Sequence, residues 1–173
     1  MCPRVRTSAR GKTRIGRVEI VSFPETATPG GLRAQVLTLQ RQAWPGAAPG
    51  HDPALRPLSM LLVDDGVVLA ALDILFKQIA HAGRRWGAAG LSTVVTGQEV
   101  RGRGYGTGLV TAARDRMMLI PGLDLGMFTC DRPLQGFYQG ARARLYSRRH
   151  GWRSFPSDRR NNGRRQGSCE NRS

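Results

Sequence analysis

Three glycines at alternate positions, in the run Val100-Arg101-Gly102-Arg103-Gly104-Tyr105-Gly106, separate an apolar β-branched stretch from one with a helical stride. Upstream, Leu91-Ser92-Thr93-Val94-Val95-Thr96 has the composition of a pleated, buried strand. Downstream, Leu109, Ala112, Ala113, Arg116 and Met117 recur every three to four residues, which gives a helix one apolar face. The junction commits the chain to mixing strands and helices. Glycine there lets the backbone take positive φ and approach a ligand, while successive N–H groups and the positive end of the helix dipole converge on one spot. A diphosphate suits that spot, and Arg101 and Arg103 add charge-assisted hydrogen bonds to its oxygens.

The loop lacks the Lys-Ser/Thr ending of a Walker loop, and no frame places glycine at all three positions of G-x-G-x-x-G. It does satisfy Arg-x-x-Gly-x-Gly. Preceded by Leu91-x-x-Val94-x-Thr96-x-Gln98-Glu99-Val100, it resembles the acetyl-CoA signature of the GNAT superfamily of N-acetyltransferases. The resemblance runs from about residue 18 to residue 141 and includes the order strand, helix, two strands, the Leu91 strand, signature loop, helix, strand, helix. One departure is Gln98, where many relatives carry a proline that stiffens the start of the loop. The competing readings of the loop are a disordered Arg/Gly RNA-binding segment and a plain strand-to-helix connection. The apolar periodicity on both sides argues against disorder.

The resemblance implies an α/β (α+β) fold: a mixed, mostly antiparallel sheet flanked by helices, with a splayed strand pair holding acetyl-CoA. It also implies site residues. Val94, Val95 and Thr96 would pair with the pantetheine arm, and Arg101, Gly102, Arg103, Gly104, Tyr105, Gly106 and Thr107 would hold the diphosphate. In many members, including aminoglycoside 2′-N-acetyltransferases, a Leu-Tyr or Phe-Tyr pair sets a phenol beside the cofactor sulfur. Phe137-Tyr138 matches that pair and makes Tyr138 the expected acid, although tyrosine on an amphipathic helix is also commonly core with a wet hydroxyl. Where relatives place a basic glutamate, this chain has Gly90, Leu91 and Ser92, so Glu99 and Asp73 are the remaining candidates, relaying through water.

The net charge of +15 suggests a nucleic-acid binder until it is divided along the chain. Residues 1–17 hold six basic residues and no acid, and residues 142–173 hold ten against Asp158 and Glu170. The segment between them is close to neutral, with eleven basic and ten acidic residues. Both ends are therefore expected to be disordered and solvated, with weak, salt-sensitive nucleic-acid binding as the other reading. Cys2, Cys130 and Cys169 are scattered, which fits a reducing compartment, and His51, His81 and His150 show no paired spacing. No metal is expected, and each histidine reads as an ordinary loop or surface residue. With no apolar leader and no run of about 18 apolar residues, the expectation is a cytoplasmic protein that does not use a membrane.

Along residues 18–141, Val18-Glu19-Ile20-Val21-Ser22-Phe23 alternates as a strand ended by Pro24. Thr28-Pro29 opens a helix carrying Leu32, Val36, Leu39 and Ala43, and Pro45-Gly46 stops it. A Pro/Gly-rich loop covers 47–57, which in GNAT enzymes often lines the acceptor pocket. Two apolar strands, 58–63 and 67–76, flank the hairpin turn Asp64-Asp65-Gly66. Residues 80–86 are polar enough for a loop, residues 125–129 read as a short strand, and helix formers return from Pro133. After Ala141 the strand pattern that relatives continue is missing. Leu145-Tyr146 with Gly151-Trp152 resembles a displaced copy of the motif, which makes Tyr146 a second candidate acid. A shifted reading frame near Ala141 accounts for the arginine-rich composition of 142–173 and leaves the final strand pair missing; translating the other frames of the coding DNA tests it.

The expected function is transfer of an acetyl group from acetyl-CoA to a primary amine of a small molecule by direct attack, in a chain able to form a homodimer. The alternatives are a nucleic-acid-binding protein that uses its basic tails, and an inactive or truncated domain that only holds coenzyme A.

Overall fold

The computed structural model describes residues 7–8, 12–15 and 18–141. Seven strands form one sheet in sequence order: β1 (Thr7–Ser8), β2 (Lys12–Ile15), β3 (Val18–Pro24), β4 (Leu58–Asp64), β5 (Val67–His81), β6 (Arg84–Thr96) and β7 (Leu125–Met127). Neighbours are antiparallel except β6 and β7, which are parallel. Helix α1 (Gly30–Ala43) follows β3, α2 (Tyr105–Met118) follows β6, and the short α3 (Gln135–Gly140) closes the described chain. This is the mixed, mostly antiparallel sheet flanked by helices that the resemblance implied.

The continuous apolar character of β4 and β5 follows from helices covering both faces of the sheet. On one face Met60, Leu62, Ala70, Leu72 and Ile74 pack with Leu109, Val110 and Ala113 of α2. On the other, Leu61, Val68, Ala71 and Val95 receive Leu32, Val36, Leu39 and Ala43 of α1. Period-two alternation in the strands thus meets a three-to-four residue stride in each helix. Among the described residues, no helix is long and apolar enough to cross a membrane.

Two expectations are corrected. Residues 80–86 are not a loop: β5 and β6 run on, with His81 opposite Arg84, and turn through Ala82 and Gly83 at φ +49° and +71°. Two positive-φ residues in a two-residue turn match the twist of a hairpin. The polarity there marks a ribbon reaching past the helices into solvent, where neither face needs apolar side chains. At the other end, residues expected to be a disordered basic tail enter the sheet: Ile15 pairs with Val18 and Thr13 with Ile20, and β1 pairs in turn with β2. Counting charge hid the short alternation Lys12-Thr13-Arg14-Ile15. Residues 142–173, with Leu145, Tyr146 and Gly151-Trp152, lie outside the described residues.

Candidate functional site

Strands β6 and β7 touch only at one end. Ala88, Ala89 and Gly90 pair with Leu125, Gly126 and Met127, and the junction is pinned where the Asp124 amide donates to the Gly87 carbonyl at 2.8 Å. The Gly87 amide in turn donates to Asp124 Oδ2 at 2.9 Å. Beyond Gly90 the outer edge of β6 has no strand neighbour among the described residues. The Gly97 amide donates inward to Leu69 O at 2.9 Å, so strand alternation turns the Thr96 peptide groups to the open edge. The Arg101 Nε reaches the Thr96 carbonyl there, at 3.4 Å.

This open edge is one wall of a cleft of about 560 Å³. Val94, Val95 and Thr96 form that wall; Val100, Arg101, Gly102, Gly104, Tyr105, Gly106 and Thr107 form its base; Leu134, Phe137 and Tyr138 stand opposite, and Ala43 completes it. The base is rich in donors that the helix itself leaves without acceptors, for a simple reason. Gly104 caps α2 with φ +80° and offers no side-chain acceptor, and the first bond back to it comes from the Gly108 amide. The amides of Tyr105, Gly106 and Thr107 therefore have no acceptor within the helix, and the positive end of the helix dipole lies among them. Gly106 also permits close packing: a Cβ there would lie 2.8 Å from Thr96 Oγ1 and 3.3 Å from the Phe137 ring.

Tyr138 is half-buried among aromatics. Its ring centroid lies 4.4 Å from that of Phe128 and 4.9 Å from that of Phe137. Burial pushes its phenol above the ordinary tyrosine range, and Cys130 pushes in the same direction.

No family model matches the chain, and no curated protein matches it by sequence. Solved structures do match. Glucosamine-6-phosphate N-acetyltransferase from Arabidopsis thaliana superposes with a TM-score of 0.56 at 14% identity, over 72% of this chain and 89% of its own. An acyl-CoA N-acyltransferase from Pseudomonas aeruginosa gives 0.55 at 18% identity, over 70% and 85%. An acetyltransferase from Trypanosoma brucei gives 0.55 at 14% identity, over 70% and 89%. The chain has the GNAT fold.

Within this GNAT fold, most of the sequence-expected residues converge, but Arg103 and both candidate bases, Glu99 and Asp73, do not line the cleft. Val94, Val95, Thr96, Arg101, Gly102, Gly104, Tyr105, Gly106, Thr107 and Tyr138 all line the cleft, whereas Arg103 is exposed and outside its lining. Glu99, a candidate base, is also exposed and absent from the lining. A register shift between Ala71 and Asp73 places a bulge in β6 where the cleft begins: Thr93 and Val94 together oppose Leu72, with Thr93 at φ +47°.

A second polar group escaped sequence reasoning. His51 is not an ordinary loop histidine: its Nδ1 lies 2.9 Å from Glu25 Oε1 and its Nε2 lies 2.9 Å from Ser92 Oγ. A carboxylate can only accept, so Glu25 fixes the proton on Nδ1 and leaves Nε2 to accept from Ser92. Asp73 lies beside them, 3% exposed, accepting from Ser59 Oγ at 2.5 Å and from the Thr93 hydroxyl. Burial raises its carboxyl above the ordinary range against the opposing pull of those hydrogen bonds and of His51; Glu25 reinforces the rise. Glu25, His51 and Asp73 bring ligand-type atoms within 4.8 Å of one another, and the same lone pairs serve these hydrogen bonds. An acid inside the apolar run Ala70-Ala71-Leu72-Asp73-Ile74 was the available signal. Nothing near His51 in the sequence pointed to Glu25 or Ser92, which lie 26 and 41 residues away.

Proposed function

We propose that the chain is an N-acetyltransferase that moves an acetyl group from acetyl-CoA to a primary amine of a small molecule. One observation carries the reading: a strand edge with no strand partner among the described residues and the uncapped amides of a helix start face the same cleft. The two halves suit the two parts of coenzyme A. The edge at Val94, Val95 and Thr96 offers strand-like pairing to the amides of a pantetheine arm. The amides of Tyr105, Gly106 and Thr107, with the Arg101 guanidinium, suit a diphosphate.

The chain's residues then have separate tasks. A backbone N–H on the open edge of β6 stabilises charge that grows on the thioester oxygen as the amine attacks. The new C–N bond forms as the C–S bond breaks, and Tyr138 gives its proton to the departing sulfur. A free phenol holds its proton at a pKa near ~10 and a thiol near ~8.5, so donation is uphill in water and depends on the phenol being placed against the sulfur. The amine's own proton leaves to a base on the opposite side of β6.

Thermal unfolding with acetyl-CoA tests the reading, because a ligand at one hundred times its dissociation constant adds about 2.7 kcal/mol of stability. Calorimetric saturation near one equivalent, and free thiol on adding an amine, are expected. Folded protein that shows no saturation with any CoA species overturns the proposal.

A further inference from the structure

A second cavity, of about 420 Å³, opens where β3 and β4 end and the longer β5 continues. Its volume falls in the range of small-molecule pockets. Its walls are mostly apolar, from Pro24, Pro57, Leu58, Phe76 and Ile120, but polar groups stand at two places. At one, Glu25 holds His51 by both carboxylate oxygens: Oε1 meets the ring, and Oε2 accepts from the His51 amide at 3.2 Å. At the other, the Arg56 guanidinium lies 5.8 Å from the centroid of the Phe76 ring. Among the described residues no carboxylate pairs with Arg56.

Arg56 is also held in a costly conformation. It ends the turn Pro53–Leu55 at φ +46°, and Asp52 caps that turn by accepting from the Ala54 amide at 2.9 Å. A left-handed arginine is strained, and such strain is concentrated at binding sites. The turn thus joins His51 and Arg56 through one short, capped segment at the cavity mouth.

Resting on the acyl-transfer reading, we propose that this cavity takes the acceptor, and that the acceptor is an apolar amine that also carries a carboxylate. Arg56, over the Phe76 ring, grips the carboxylate with a paired set of N–H donors. The apolar walls take the body of the molecule. The amine faces the Glu25–His51 pair: Ser92 accepts a hydrogen bond from the amine and passes its own proton to His51 Nε2, and Glu25 balances the imidazolium. One proton leaves the nitrogen for each C–N bond made, so the transfer balances with the proton that Tyr138 supplies to sulfur.

The test uses the full chain and two probes, L-phenylalanine and 2-phenylethylamine, which share a ring and an amine and differ in the carboxylate. Thiol release at saturating acetyl-CoA is expected to show a KM for phenylalanine about tenfold or more below that for phenylethylamine. Arg56→Gln should raise the phenylalanine KM by a similar factor, with kcat, the phenylethylamine KM and acetyl-CoA binding unchanged. His51→Gln should lower kcat for both amines. Equal KM values in the unaltered protein, or an Arg56→Gln protein that keeps the preference, overturn the proposal. Calorimetry with phenylalanine alone separates the two readings. Saturable heat lost in Arg56→Gln supports the pocket even where acetyl-CoA gives none. Acetyl-CoA heat with neither binding nor turnover of phenylalanine overturns the pocket and leaves acyl transfer standing.

Discussion

The buried carboxylate of Asp73 accepts a hydrogen bond from Thr93, the one residue of β6 whose backbone is left-handed. A β-branched residue at positive φ is strained by roughly 1–3 kcal/mol and persists only where its surroundings fix it. Asp73 supplies that constraint from the neighbouring strand, and it holds Ser59 as well. The bulge it stabilises turns β6 just before Val94, where the cleft begins. Asp73→Ala should therefore lower unfolding stability by about 1–3 kcal/mol, because two hydroxyls lose their acceptor. It should also weaken acetyl-CoA binding, since the edge is no longer held in place. Urea unfolding and calorimetry check both effects, and normal binding would show that the bulge stands without the carboxylate.

The same residue makes stability depend on pH in a direction opposite to that of most paired acids. Burial raises the Asp73 carboxyl above its unfolded value, so the folded chain binds that proton more tightly. The stabilising contribution is complete below the unfolded carboxylate value of about 4 and is lost as pH rises through the raised folded one. Compared with Asp73→Asn, which cannot ionise, the native protein should lose relative stability as pH climbs through that window. Urea midpoints of the two proteins over a pH series measure the difference; a constant gap, or one of opposite slope, contradicts the assignment.

Gly104→Val probes the start of α2. With φ +80° the position has open space around it, so the cost is conformational and not steric. A non-glycine residue pays about 1–2 kcal/mol in this region, more when β-branched, and relief comes by rotating the peptide that starts the helix. Acetyl-CoA affinity should fall at least about tenfold while the protein stays folded, because the amides of Tyr105, Gly106 and Thr107 no longer share one direction. Unchanged affinity would remove the backbone cradle from the account.

Tyr138→Phe separates binding from proton transfer. Acetyl-CoA affinity should be nearly unchanged, since the ring keeps its packing on Phe128 and Phe137. Thiol release should drop by about a hundredfold, the lower end of what a positioned acid contributes. Because the phenol's pKa is raised, the proton stays on oxygen through neutral and mildly alkaline pH. The gap between the two proteins should hold across that range and close only as pH rises through the raised value.

What the sequence made legible follows from local physics. Strands β4 and β5 with their turn at Asp65-Gly66, α1 between Pro29 and Pro45, and the junction at Gly104 are all encoded by residues within a few positions of one another. Alternation, stride and turn chemistry suffice for these. Two further features depend on what packs nearby. The ribbon at 80–86 looks like a loop because its residues are exposed or half-exposed, and pairing of Lys12–Ile15 depends on the free edge of β3. The His51 group was illegible for the strongest reason: Glu25, His51, Asp73 and Ser92 come from four separate elements, and only the closed sheet makes them neighbours.

Gly106→Ala tests whether the cleft walls and α3, which carries Tyr138, form one packed unit. The added methyl would sit 2.8 Å from Thr96 Oγ1 and 3.3 Å from Phe137, too close on both sides, and neither neighbour is a long flexible chain. Overpacking of this kind costs about 1–3 kcal/mol. Thr96→Ala removes the closer of the two crowding side chains, so the double variant should regain part of the loss, with a coupling of at least about 0.5 kcal/mol in a double-mutant cycle. The push on Phe137 remains and is transmitted along α3 to the adjacent Tyr138. The double variant is therefore expected to bind acetyl-CoA better than Gly106→Ala alone while still releasing thiol slowly. Additive stabilities, or turnover restored together with binding, would show that α3 carries Tyr138 independently of the packing between α2 and β6.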